Sequence, residues 1–339
     1  ITPMIYTRKT LPMFTLFKHA SSTALLFGVL LSSVDAQELA YVTNEKDNSI
    51  SVVDLETFSV IKDIQVGERP RGFIFNHDQT LAYICASDAN RIQILDMQTD
   101  TIIGELPSGE DPETIALHPN GTTIYTANED DALLTVIDIP SAQVITQIDV
   151  GVEPEGLAVS PDGSKMVVTS ETTNMVHWID TQTNKNYANS LVGARPRSAM
   201  FTKDSSQLWV TSEIGGQLTV FNVADQSVKH ELTFAIKGIH RDRIQPVGIL
   251  LMQSKPLAFV ALGPSNHVAV INTQTMEIVK YLLVGRRVWQ LALNQDESLL
   301  LTTNGISGDI SIIDTDQLST IKSIKVGRYP WGIAVKNDS

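Results

Sequence analysis

Val66-Gly67-Glu68-Arg69-Pro70-Arg71-Gly72 returns in altered copies along the chain, the last of them Gly327-Arg328-Tyr329-Pro330-Trp331-Gly332. Aligned on the proline, the copies fall at Pro70, Pro112, Pro154, Pro196, Pro246, then Val288 in the equivalent place, then Pro330. The steps are 42, 42, 42, 50, 42 and 42 residues. Seven repeats of this period mark a propeller or a solenoid, in which one unit cannot bury its own face and stacks on its neighbours. A single period, Arg71 to Pro112, decides between them. It holds Gly72-Phe-Ile-Phe75, Leu81-Ala-Tyr-Ile-Cys85, Arg91-Ile-Gln-Ile-Leu-Asp96 and Ile102-Ile-Gly-Glu-Leu106, separated by Asn, Asp and Gly turns. Four short strand-like runs without a helical 3.6-residue pattern predict a four-stranded antiparallel blade. Seven such blades predict an all-β, seven-bladed β-propeller.

With strands lettered A to D from the central channel outward, the first A strand begins at Gly72, whereas Leu39 to Thr43, Ile50 to Asp54 and Val60 to Val66 already read as B, C and D. The missing A strand is Gly332-Ile-Ala-Val335 at the far end. One blade is therefore expected to be assembled from both termini, which removes open sheet edges.

Composition is compatible with one large domain: 339 residues, 42% hydrophobic. Residues 1–36 read as an export signal. Lys18 and His19 lead into the apolar run Ala20 to Leu31, and Val34-Asp35-Ala36 offers a cleavage site before Gln37. Met13 is a candidate start that would give a compact signal, and residues 37–339 form the propeller domain. The leader points to the periplasm, and its apolar run is too short to anchor the mature chain across a membrane. Removing Arg8, Lys9, Lys18 and Asp35 takes the formal charge from −13 to 22 − 37 = −15, a poor balance for nucleic acid or an anionic membrane surface. Cys85 is the only cysteine, so no intrachain disulfide can form, and its apolar surroundings predict an inert core thiol.

The run Tyr41-Val42-Thr43-Asn44, followed by Ser49-Ile-Ser-Val-Val-Asp54, resembles the YVTN-type seven-bladed propellers. Longer stretches are similar to one subgroup: Tyr41 through Asn48, Thr169-Ser-Glu-Thr-Thr-Asn174, Ser212-Glu-Ile-Gly-Gly216, Phe259-Val-Ala-Leu-Gly-Pro264, Tyr281-Leu-Leu-Val-Gly285 and Arg287-Val-Trp-Gln290. These look like the PQQ-dependent catabolism-associated β-propeller proteins, and the likeness runs through the mature chain. It implies an exported accessory of alcohol oxidation by pyrroloquinoline-quinone (PQQ) enzymes, and it carries over no catalytic residue.

In a propeller the D-to-A and B-to-C turns emerge on one face, here the top. Arg69, Arg71, Arg195, Arg197, Arg286, Arg287 and Arg328 map to D-to-A turns, Arg91 to a B-to-C turn, and Arg241 and Arg243 to the excess of the 50-residue step. Every arginine of the mature chain is thus expected on top. Lys62, Lys165, Lys185, Lys203 and Lys255 map instead to bottom turns. Arginine supplies a planar fork suited to carboxylates and stacks on aromatic rings, so this segregation suggests recognition. Acids also recur on top after strand B: Glu45, Asp88, Glu129, Glu171 and Glu213, lapsing at Gly263 and Gly305.

Three readings of this ring stand open. The arginines and acids could pair across blades, contributing little per exposed pair. Arg69, Arg71, Arg195, Arg197 and Arg287 could bind a small planar anion such as PQQ, with Trp289 or Trp331 stacking on it. The face, with Arg241, Arg243, Arg328 and the two tryptophans as contacts, could dock an exported partner, a quinoprotein dehydrogenase or its cytochrome. A hard cation such as calcium in the acidic ring is opposed by the interleaved arginines. His77 and His118 read as turn residues of the bottom face. His177 and His267 lie in different blades without the spacing of a zinc site, so no metal is expected. No Cys-x-x-Cys-His is present for covalent haem, and no nucleophile, base and oxyanion site assembles. The sequence therefore reads as a non-enzymatic binding or accessory protein. A lactonase-like hydrolase and a purely structural scaffold are the alternatives.

Overall fold

The computed structural model describes residues 38–336, with residues 7 and 10. The signal read over residues 1–36 lies outside the described residues. Among those described, no helix is long and apolar enough to cross a membrane.

Seven four-stranded antiparallel sheets follow one another around a central channel. Their inner strands are Pro70–Phe75 (blade 2), Pro112–Leu117 (blade 3), Pro154–Val159 (blade 4), Pro196–Phe201 (blade 5), Ile249–Leu251 (blade 6) and Val288–Leu293 (blade 7). Blade 1 is the composite: Pro330–Lys336 from the C-terminus lies inside Leu39–Asn44, with Tyr41 opposite Ala334 and Val42 opposite Ile333. The ring is closed from both ends of the chain, as the repeat count requires.

Burial explains why each repeat makes this unit. The second strand Leu39–Asn44 is buried from Ala40 onward and the third strand Ser49–Asp54 along its whole length, between neighbouring blades. The outermost strand, for example Ser59–Gln65, is mostly exposed. Each apolar cluster is shared by adjacent blades. Tyr41, Ile50 and Val52 of blade 1 pack on Phe73, Ile84 and Leu95 of blade 2, so a lone blade would leave such faces in water.

The structure moves the start of the inner strand from Gly72 to Pro70, which places Arg71, Arg197, Trp289 and Trp331 inside strands and not in turns. The chain kinks one residue earlier, at positive φ: Arg69 (49°), Asp111 (50°), Arg195 (58°) and Arg287 (59°). The proline then opens the strand, where its missing N–H costs no ladder bond. A repeated asparagine holds the kink. The amides of Arg69, Asp111, Arg195 and Arg287 donate to Asn48, Asn90, Asn174 and Asn266. Those asparagines stand at positive φ themselves, which Asn tolerates better than most residues. The kink's carbonyl accepts an amide from the blade it leads into, as in Glu171 N to Glu153 O. Four of the seven top turns are thus fastened on both sides.

The threonine of Tyr41-Val42-Thr43-Asn44 has a structural task. Thr43 Oγ1 receives Gly332 N at 2.8 Å and donates to Arg71 O of the next blade at 3.0 Å. Thr211 and Thr303 make the equivalent bonds to Val247 O and Trp331 O. Blade 2 has Cys85 at this position, fully buried, its thiol pushed up to about 12 by burial. There the weaker thiol, which takes Gly72 N and lies 4.0 Å from Thr126 Oγ1 of blade 3, stands in place of a hydroxyl bridge. Cys85→Thr should install it and stabilise the fold by about 1 kcal/mol, read as a raised urea midpoint. An unchanged or lowered midpoint would contradict the assigned role.

Candidate functional site

The top mouth of the channel is built by the residue that follows the repeated proline place in each blade: Arg71, Glu113, Glu155, Arg197, Val247, Trp289 and Trp331. Around them stand the kink residues and the acids that end the second strands. The arginines do not face an open pocket. Arg71 bridges Glu45 of blade 1, with Nε to Oε1 at 2.6 Å, and Glu113 of blade 3. Arg69 meets Asp88 at 2.6 Å, Asp111, and Glu113 at 3.3 Å. Across the ring, Arg197 pairs with Glu171, with Glu155 at 3.1 Å and with Glu213 at 3.7 Å. Arg195 adds Glu171 at 2.6 Å and Glu213 at 3.4 Å. Arg287 reaches over blade 6 to Glu213 at 2.8 Å and donates to Gln245 at 2.8 Å.

The acid pattern lapses where other groups need room. A Cβ at Gly305 would come within 2.6 Å of the Trp289 indole nitrogen, and one at Gly263 would come within 2.8 Å of Gln245 O. Trp289 lies under both Arg287 (4.1 Å) and Arg197 (5.5 Å), and Trp331 lies under Arg71 (5.5 Å). Both indoles are covered by guanidinium groups of this chain.

These pairs are more deeply placed than the sequence suggested. Arg197 is 8% exposed, Glu155 2% and Glu113 fully buried. Burial pushes the Glu155 carboxyl up, against the pull of Arg197; one of its oxygens has no hydrogen-bond partner. Burial acts upward on Glu171 as well, but both of its oxygens lie against guanidinium groups. The same attraction raises Arg197 against the downward effect of its burial, so the guanidinium stays charged. Glu129 is also pushed up, by burial and then by Asp111. It makes no ion pair among the described residues, and its ligand oxygen lies within 4.8 Å of those of Asp111 and Glu113. Arg69 and Arg71 already occupy those two acids.

Of the residues singled out in the sequence, Arg69, Arg71, Arg195, Arg197, Arg287, Trp289, Trp331, Glu45, Asp88, Glu171 and Glu213 converge on the mouth. Asp88 sits one residue beyond the expected register, because Ser87–Ala89 forms a 3-10 turn and Ser87 takes the place of Glu45. Arg328 lies apart on the outer rim, pairing with Asp47 at 2.5 Å. Arg91 opens a strand and meets Glu105. Arg241 and Arg243 form a 3-10 turn in the insertion, where Arg243 donates to Pro264 O. Asp111, Glu113, Glu155 and Gln245 complete the network; as neighbours of the repeated proline they carry the same positional signal as the arginines. Lys62 lies within the outer strand of blade 1, not in a bottom turn, and reaches Asp100 of blade 2. His118 bridges two bottom turns, its Nε2 at 2.9 Å from Gly163 O. His177 accepts Gly151 N at 2.9 Å, and burial pushes its pKa down.

Beneath the charged mouth the channel is lined by uncharged side chains. The residues three places after the repeated proline position, Phe73, Ile115, Leu157, Ala199, Ile249, Leu291 and Ile333, surround a cavity of about 190 Å³ together with Thr114, Ser198 and Gln290.

The comparisons agree with this architecture. A family model described as YNCE-like beta-propeller matches residues 76–161, from the first turn of blade 2 into blade 4. Over those blades the chain is similar to that class. Among curated proteins nothing matches the sequence. Solved structures match nearly end to end. Hydrazine synthase of Kuenenia stuttgartiensis is 18% identical over 81% of this chain and 92% of its own, with a TM-score of 0.74. A protein of unknown function from Desulfotomaculum acetoxidans DSM 771 is 15% identical over 88% and 98%, at 0.76. A Bacteroides fragilis NCTC 9343 protein, provisionally named a 6-phosphogluconolactonase, is 18% identical over 90% and 99%, at 0.75. At these identities the likeness shows the fold alone.

Proposed function

We propose that this protein is a non-enzymatic binding protein that docks a partner protein through its top face, as an exported accessory of PQQ-dependent alcohol oxidation. The link to alcohol oxidation and the periplasmic location rest on the motif resemblance and the leader in the sequence. Docking rests on the mouth. The observation that carries it is that the five central arginines are spent on carboxylates of the same chain. They face Glu45, Asp88, Asp111, Glu113, Glu155, Glu171 and Glu213, with Glu129 beside them, so the local balance is 5 − 8 = −3. A free tricarboxylate such as PQQ would have to displace buried pairs in an acidic surround, which costs more than it returns.

Around this rigid centre the turns leave Val152, Ile214, Ile306 and Tyr329 about half exposed. Apolar and aromatic groups on preordered turns suit a protein interface, since little side-chain entropy is lost on docking. For a lactonase reading, the inner strands carry no histidine, and the channel cavity is lined by no titratable side chain.

The test is co-purification from an alcohol-grown culture, with a quinoprotein dehydrogenase and its cytochrome c as the partners sought. Ile214→Asp with Ile306→Asp should abolish capture while shifting stability by no more than about 0.5 kcal/mol. Equal capture by the variant, or tight PQQ binding by the wild type, would overturn the docking reading.

A further inference from the structure

The opposite end of the channel is built differently. At the bottom the inner strands open into a second cavity of about 620 Å³, walled by Ile115, Leu157, Ala199, Met200 and Ile249, with Lys203 and Gln253 on its rim. It shares Ile115, Leu157, Ala199 and Ile249 with the channel cavity above. Its volume falls in the range of about 300–1,000 Å³ usual for small-molecule sites, and its walls are mainly apolar with few polar groups, as in such sites. Room exists because the apolar ring is uneven. Blade 5 contributes Ala199 where other blades place Phe, Ile or Leu, and the next residue, Met200, has an adaptable side chain.

Charge says what would enter. The acids around this rim are occupied. Asp162 and Asp204 each accept from the serines, or the threonine and serine, of their own turns. Glu297 accepts Gln253 N and Ser254 N. Lys203 is exposed and makes no ion pair or hydrogen bond among the described residues. Against the upward push of burial, its charge helps to hold the Glu297 carboxyl below its ordinary value, after the amides that Glu297 accepts, and it stands over an apolar wall with no direct partner of its own.

We infer that the bottom mouth is a binding site for a small apolar carboxylate, its chain lying against Leu157, Ala199 and Ile249 and its carboxylate meeting Lys203. The site faces away from the proposed docking turns and stands independently of them.

Octanoate and octan-1-ol, titrated calorimetrically into the full chain, form the test. Octanoate should bind, and Lys203→Gln should weaken it about tenfold, the loss of one charged contact, while leaving octan-1-ol unchanged. Ala199→Phe should fill the notch and abolish both. Each variant's melting midpoint reports folding, and Lys203→Gln, on the surface, guards against loss of fold in the core variant. Absence of octanoate binding, or binding indifferent to Ala199→Phe, overturns the site. Octanoate affinity unchanged by Lys203→Gln overturns the carboxylate contact.

Discussion

Arg197→Ala should destabilise the propeller by about 3–5 kcal/mol at neutral pH, the expected cost of leaving buried charge without its partner. The guanidinium is the shared counter-ion of Glu155, Glu171 and Glu213, and it also stacks on Trp289. Of the three acids, only Glu171 and Glu213 keep another arginine. Glu155 would be left buried and alone, so the loss should depend on pH. The Glu155 carboxyl is already raised by burial in the wild type. A raised folded pKa means that the protonated acid favours the fold. This contribution is complete below the unfolded value near 4.5 and is lost as pH rises through the folded one. Removing Arg197 raises the folded value further. The gap between variant and wild type should therefore be small at pH 5 and widen toward pH 7.5. Urea unfolding at both pH values measures it. Arg197→Met combined with Glu155→Gln and Glu171→Gln should recover most of the loss, because removing a buried network whole costs far less than breaking it. A single variant within about 1 kcal/mol of the wild type at pH 7.5 would show that the network is solvated, contrary to its burial.

The same residues show what the sequence could disclose. The repeat named every blade and the composite closure, because a propeller is written once per period and a spacing of 42 residues survives substitution. The ring of arginines and acids was equally visible, since each falls at a fixed offset from the proline. Its state was not. Whether Arg71 points into solvent or onto Glu113 depends on the separation of adjacent inner strands, which no single repeat encodes. The depth of the network followed the same limit: once Pro70 is placed inside the strand, Arg71 turns from a loop residue into a channel residue. The bottom cavity was missed for a different reason. Its signal is Ala199 among larger residues at the equivalent place, an absence of volume in a position that carries no chemistry of its own.

Deleting residues 330–339 should abolish cooperative folding altogether. The strand Pro330–Lys336 is the inner strand of blade 1, and without it Leu39–Asn44 faces the channel with an unpaired edge. The bonds of Thr43 to Gly332 N and of Thr303 to Trp331 O disappear, and Trp331 and Ile333 leave their buried places. Burial of each of those two side chains contributes roughly 1.5–3 kcal/mol, and the lost ladder adds to that, against a total stability of about 5–15 kcal/mol. The deeper consequence is topological: seven blades bury their faces only as a closed ring, and an open one exposes two apolar blade faces. Loss through removal of mass and loss through removal of closure are separable. Leu39 lies opposite Lys336 at the bottom of blade 1, so the two ends meet where other blades have an ordinary turn, such as residues 76–80. A permuted chain that begins at Gly327, passes through such a turn into Leu39 and ends at Val326 keeps every strand. It makes blade 1 continuous and moves the break to a top turn between blades 7 and 1. That chain should fold, with the strand-rich circular dichroism of the parent, a cooperative urea transition and a lower midpoint. Cooperative folding of the truncated chain would show that six blades and a remnant close without the terminal strand. Failure of the permuted chain would place the weight on the top turn at Gly327 and Arg328, which Asp47 holds through the Arg328 amide and guanidinium.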